Sequence, residues 1–385
     1  MRKLTTNKTL KILFFLCCML LCSCRMDRNS TIKRDYSFAI YDAKNNVVCA
    51  YENENNGANK NHTQPILVNS SKIKGENLYL RGVPYFYENE GLYVTKTAAS
   101  PSDLKVSLSV LDSRNPERIK SKKLINIVDV YTLCSDSQYI YTVVCYIDRL
   151  EFYKYDYNLS LVSSKLIYNE GKSIAPYQLL SVDASLYLLV GYVDPLVSDE
   201  ISTQIWKMDK DLNRNVIYNL PTLKGYNVRM IFSGEHFYVS NPNQTDNVYE
   251  GKGSCDINVF TEDTINHKMK WIKTITLENL YPESILFDKK NNKLLIQHDI
   301  YRSEELIWTV YDIENQTENI LKFSKSMSTY DGEVLAPFFT INDGKYYFLF
   351  NEYMSIYNPQ NKKLDKISYG TDEITQPAAM IFNTE

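Results

Sequence analysis

The chain has 385 residues, of which 44% are hydrophobic, 23% charged and 13% aromatic, with a formal charge of −3. That is enough apolar matter for a large core, and the composition excludes disordered, collagen-like and mucin-like chains. Glycines (13) and prolines (12) are few, while 31 tyrosines favour sheet over helix, so the length fits one large all-β domain or two ordinary ones.

The first element is a leader. Arg2, Lys3, Lys8 and Lys11 accompany an apolar run from Ile12 to Ser23, the order of a secretory signal peptide, and the run is shorter than the ~20 residues of a spanning helix. It closes on Leu21-Cys22-Ser23-Cys24, which resembles the lipobox of bacterial lipoproteins. The resemblance implies cleavage before Cys24, a diacylglycerol on the Cys24 sulfur and usually a third acyl chain on its amine. Two chains anchor a protein stably where one binds reversibly. Residues 1–23 therefore read as signal peptide, 24–35 as a lipidated tether and 36–385 as one domain, held in the bacterial cell envelope at the periplasm or outer membrane. An ordinary cleaved leader, with Cys24 a free thiol, is the alternative. Beyond residue 23 the chain carries 39 basic and 46 acidic groups, which argues against a nucleic-acid partner.

Past Cys24 the cysteines are Cys49, Cys134, Cys145 and Cys255, with no CxxC pair, and His62, His236, His267 and His298 are scattered. Neither set has zinc-ligand spacing. A turn near Asp136-Ser137 sets Cys134 opposite Tyr139 rather than Cys145, so free thiols are expected. No cofactor is expected.

From Tyr36 onward one hairpin recurs: an alternating apolar strand ends in a bulky residue and an acid or amide, a polar turn follows, and a second strand begins. Its markers are Asp42, Asp112, Asp156, Asp209, Glu262, Asp312 and Asn358, and the last five spacings average about 49 residues. Between the hairpins lies a second pair of apolar runs, as in APYQLLSVDASLYLLVGYV. Four strands at a period near fifty are what a β-propeller blade requires. The hairpin at 36–52 reads as the outer pair of a blade, ITQPAAMIFN at 374–383 as its innermost strand, and 53–76 as a loop insertion. The expected fold is an all-β propeller of seven four-stranded blades closed by N- and C-terminal strands, with six blades and a loose N-terminal hairpin as the alternative. On these markers and the lipobox, the chain resembles exported bacterial lipoproteins with TolB-like or YncE-like propellers. That resemblance is architectural and transfers no active site.

Local catalytic motifs are missing. Gly171-Lys172-Ser173 has Leu166 where a phosphate-binding loop needs glycine, and the Asp209 turn has Arg214 and Leu220 where a calcium loop needs Gly and Glu. HExxH and GxSxG do not occur, although two carboxylates could still converge across blades. Trp206, Trp308 and most tyrosines read as packing between sheets, with a minority available to stack on sugars. The natural working surface is the mouth of the central channel, where innermost strands begin. Aligned starts bring Arg81, Asp129, Tyr177, Arg229, Glu283 and Gln376 toward it, a mixture suited to a polar ligand. The expected function is a membrane-anchored binding or scaffold protein recognising a protein or envelope glycan. A propeller-type polysaccharide hydrolase or lyase is the alternative.

Overall fold

The structure is a computed structural model that describes residues 36–52, 65–74, 79–80, 87–89, 91–98, 106–124, 130–193, 201–220, 229–243, 253–330 and 333–383. The segments expected to be the signal peptide, the lipobox at Cys24 and the tether lie outside the described residues.

Seven antiparallel four-stranded blades follow one another. Blade 1 runs from the inside outward as Pro377–Phe382, Phe38–Asp42, Val47–Glu52 and Ile66–Lys72. Blade 2 has an inner edge in two pieces, Tyr79–Leu80 and Tyr87–Asn89, then Leu92–Ala98, Val106–Asp112 and Ile119–Lys123. Blade 3 contains Thr132–Ser135, Tyr139–Cys145, Arg149–Asp156 and Leu161–Tyr168, and blade 4 contains Ser173–Val182, Ser185–Val193, Ser202–Asp209 and Arg214–Asn219. Blade 5 is built from Met230–Phe232, Phe237–Asn243, Gly253–Asp263 and Lys268–Thr276. Blade 6 uses Pro282–Asp288, Lys293–His298, Glu305–Asp312 and Thr317–Ser324, and blade 7 uses Phe339–Asn342, Lys345–Leu349, Tyr353–Asn358 and Lys363–Ser368. The one helical turn among the described residues is Lys325–Ser328.

Period-2 alternation explains why these strands form a ring. Successive side chains point to opposite sheet faces, and both faces of each blade are covered by a neighbour. In Pro377–Phe382, Met380 and Phe382 join Tyr347, Leu349 and Met354 of blade 7. Ala379 and Ile381 join Tyr93, Leu111 and Ile119 of blade 2. Five further clusters link blades 2/3, 3/4, 4/5, 5/6 and 6/7, so the interfaces close on themselves. Trp206 and Trp308 are buried in two of them. Each fully buried large apolar side chain contributes roughly 1.5–3 kcal/mol.

Blade 1 corrects part of the sequence reading. The hairpin at 36–52 supplies the second and third strands, not the outer pair, and Ile66–Lys72, inside the segment read as a loop, is the outer strand. The error lies in the marker. The Asp42 carboxylate accepts Asn45 N–H at 2.7 Å, an Asx turn of the kind Asp312 makes with Asn315 at 2.9 Å, and such chemistry suits any tight turn. The residue of blade 1 that matches the other markers is Glu52, which ends the third strand. Cys134 faces Tyr141, two residues beyond the expected Tyr139. All four described cysteines are free, and burial pushes the Cys49 thiol up to about 12, with Glu373 adding to the effect.

Candidate functional site at the channel mouth

Antiparallel order places the turns between second and third strands, and the crossings from outer to next inner strand, on one rim. The inner strands begin there. Counted back from the turn that ends each inner strand, Tyr131 of blade 3, Tyr177 of blade 4 and Glu283 of blade 6 stand at one level, with Arg229 of blade 5 one residue deeper. Tyr131 is 50% exposed, while Tyr177, Arg229 and Glu283 are half-buried.

Local backbone chemistry aims these side chains. Tyr177 and Glu283 are the extra residues of β-bulges directly after Pro176 and Pro282, where the register shifts. A strand-start proline forgoes one ladder donor at little cost, and a bulge re-aims the side chain it carries. The Tyr177 ring lies over Gly191, where a Cβ would collide with it. Tyr281 covers Gly253 in the same way. The inner strands are tied across blades: Leu179 N–H donates to Thr132 Oγ1 at 2.9 Å, and Met230 N–H to Gln178 Oε1 at 2.8 Å. Arg229 is held through its backbone, its N–H donating to Ser240 Oγ at 3.1 Å and its carbonyl accepting Ser240 N–H at 2.9 Å.

The electrostatics are those of a partly dried mouth. Burial raises the Glu283 carboxyl above its ordinary range and Asp299 raises it further, while Arg229 pulls it back. Burial lowers the Arg229 guanidinium to about 10 against the opposing pull of Glu283. Asp299 sits at the blade 6 turn beside Arg302 at 3.5 Å, and the Arg302 guanidinium lies 4.8 Å over the Tyr281 ring. The arrangement therefore offers two aromatic faces, a cation, and a carboxyl group able to donate or accept a proton.

Of the residues expected at the mouth, Arg81 and Asp129 lie outside the described residues. Tyr177, Arg229 and Glu283 come together. Gln376 is 9% exposed: its backbone N–H donates to the Asp42 carboxylate and its carbonyl accepts Ala43 N–H at 3.0 Å. It stands two residues ahead of the equivalent position, Ala378, and serves ring closure. Tyr131 is not among the aligned starts, which take Asp129, two residues earlier, for blade 3. Counting back from the Asp136 turn finds it.

No protein-family model matches the sequence, and no curated protein matches it. Solved structures do match in fold. A putative 6-phosphogluconolactonase from Bacteroides fragilis aligns with a TM-score of 0.53 at 12% identity, covering 91% of this chain and 98% of its own. One from Bacteroides uniformis aligns at 0.52 and 11% identity over 91% and 100%. A periplasmic gluconolactonase of Pseudomonas aeruginosa aligns at 0.51 and 10% identity over 90% and 98%. At such identities the likeness concerns the propeller alone.

Proposed function

We propose that the protein is a lipid-anchored propeller of the bacterial cell envelope that binds a glycan at its channel mouth. The observation that carries this reading is the pairing of two aromatic faces, Tyr131 and Tyr177, with the desolvated Arg229 and Glu283 on neighbouring inner strands. Sugar rings present apolar faces to aromatic side chains and hydroxyl rims to charged ones, so one ligand class uses all four groups. The anchor rests on the Leu21–Cys24 motif. Its test is palmitate labelling, which Cys24→Ala abolishes. Equal labelling of that variant refutes it.

The binding test is a bacterial glycan array probed with the mature chain, followed by titration of the best oligosaccharide. Tyr131→Ala and Arg229→Ala should each weaken binding at least tenfold (about 1.4 kcal/mol), whereas Lys289→Ala, on the opposite rim, should not. The absence of saturable glycan binding, or unchanged affinity in both mouth variants, overturns the proposal. Recovery of an envelope protein on the same face supports the scaffold alternative instead.

The raised carboxyl of Glu283 beside Arg229 favours one enzymatic alternative, a hydrolase or lyase with Glu283 moving the proton. Because similar folds include proteins named as gluconolactonases, gluconolactone is tested beside the array-selected glycan. Turnover that vanishes in Glu283→Gln establishes the enzyme, and binding without turnover establishes the receptor.

A further inference from the structure

A second charged feature lies on the rim opposite the channel mouth. The turn 113–118 of blade 2 and the turn at Tyr157–Asn158 of blade 3, each between third and outer strands, form a groove there of about 630 Å³, which Lys74 joins from the end of blade 1's outer strand through its bridge to Arg118. Lys74, Arg114, Arg118 and Lys120 line it, with apolar Ile119 and the Tyr157 side chain between them. Arg114 is paired with Asp112 at 2.8 Å, and Lys120 donates to Asn158 Oδ1 at 2.8 Å. Among the described residues, Lys74, Arg118 and Lys120 have no carboxylate within ion-pair distance. Four cations and one carboxylate, Asp112, line the groove, so it is positive in a chain that is negative overall.

The groove is built rather than incidental. The Tyr36 hydroxyl donates to the Ser113 carbonyl and the Tyr41 hydroxyl to the Pro116 carbonyl at 2.7 Å. Lys74 forms a parallel bridge to Arg118, its N–H donating to the Glu117 carbonyl at 2.8 Å. Two buried tyrosines and a bridge thus fix a surface turn that carries two arginines. Tyr36, where the described chain begins, thus itself bonds the turn that forms this groove, and it stands twelve residues after Cys24 in the sequence. Twelve residues span at most about 40 Å, which keeps this rim near whatever Cys24 is attached to.

We propose that this groove docks onto phosphate-bearing headgroups of the membrane to which Cys24 tethers the protein, turning the channel mouth away from the bilayer. Charge complementarity and the entry point of the tether single out a lipid surface. The inference rests on the anchoring reading, yet its test needs no anchor. The mature chain from Arg25 onward, which retains the whole ring, is sedimented with phosphatidylglycerol vesicles and, separately, phosphatidylcholine vesicles. Preferential binding to phosphatidylglycerol that falls with salt is expected. Each lost cation should weaken it about fivefold (about 1 kcal/mol), so Arg118→Glu with Lys120→Glu should reduce it by well over tenfold, while Lys172→Glu on the mouth rim should not. The urea midpoint confirms that the double variant is folded. Equal binding to neutral vesicles, or undiminished binding of the folded double variant, overturns the proposal. So does tight binding of glucose 6-phosphate without binding to vesicles, which assigns the groove to a soluble phosphate. Palmitate labelling that is equal in wild type and Cys24→Ala fails only the anchor and leaves the vesicle result standing.

Discussion

Closure of the ring can be tested at two adjacent residues that face different neighbours. Met380 is 1% exposed and packs on blade 7, whereas Ile381 is 0% exposed and packs on blade 2. Truncating either to alanine removes several buried carbons and leaves a cavity, costing about 2–5 kcal/mol. The two side chains lie on opposite faces of Pro377–Phe382, so their effects should add. The double variant then loses about 4–10 kcal/mol, a large part of the 5–15 kcal/mol that holds a typical domain. Deleting 377–385 goes further, because it also removes the five register pairs with Phe38–Asp42 and exposes a sheet edge. The assay is urea unfolding followed by the fluorescence of buried Trp206 and Trp308, with light scattering for the deletion. Single-variant midpoints at wild-type values, or a monomeric deletion product with native melting, refute the clasp.

His298 Nδ1–H donates to the Leu280 carbonyl at 2.7 Å and, in the neutral ring, Nε2 accepts from the Thr309 hydroxyl at 2.9 Å, and burial pulls its pKa from 6.5 to about 4 despite the Leu280 bond. The unfolded chain thus takes up this proton between about pH 6.5 and 4 while the folded chain does not. Stability is intact above that window and falls by about 3 kcal/mol across it on acidification, and urea midpoints of His298→Gln should show a shallower slope. Glu262 accepts Lys207 at 2.7 Å, Tyr187 at 2.6 Å and Tyr218. Burial raises its carboxyl but these three bonds outweigh burial and hold it below its usual range. Glu262→Ala should cost about 2–4 kcal/mol, against about 1 kcal/mol for Tyr187→Phe, both read by urea unfolding. Gly191→Ala should displace the Tyr177 ring and weaken glycan binding while changing the urea midpoint little, since the mouth rather than the core is disturbed; unchanged affinity refutes the placement of Tyr177.

The blades were legible because alternation and Asx turns are local properties that recur. The position of a hairpin within its blade was not, since Asp42 and Asp312 make the same turn in different places. Ile66–Lys72 escaped notice because an outer strand buries only one face; its residues Asn69, Ser70 and Ser71 carry little apolar pattern. At the mouth, Tyr177 and Glu283 follow prolines at inner-strand starts, and Pro377 marks the same place in blade 1. That recurring proline is the signal that would have replaced Gln376 with Ala378. Arg229 has no such proline, and its depth emerges only from its pairing with Ser240.

The clasp also sets an order of events during synthesis. Asp42 and Gln376 are separated by 334 positions, which translation at about 5–20 residues per second spans in tens of seconds. Throughout that interval Phe38–Asp42 waits without its inner partner, and six complete blades can stack without making a ring. Folding therefore checks that the closing strand Pro377–Phe382 has been made. A chain cut short before Pro377–Phe382 keeps an open edge, the feature by which proteases and holdases recognise unfinished work, and only a chain that carries this strand conceals it.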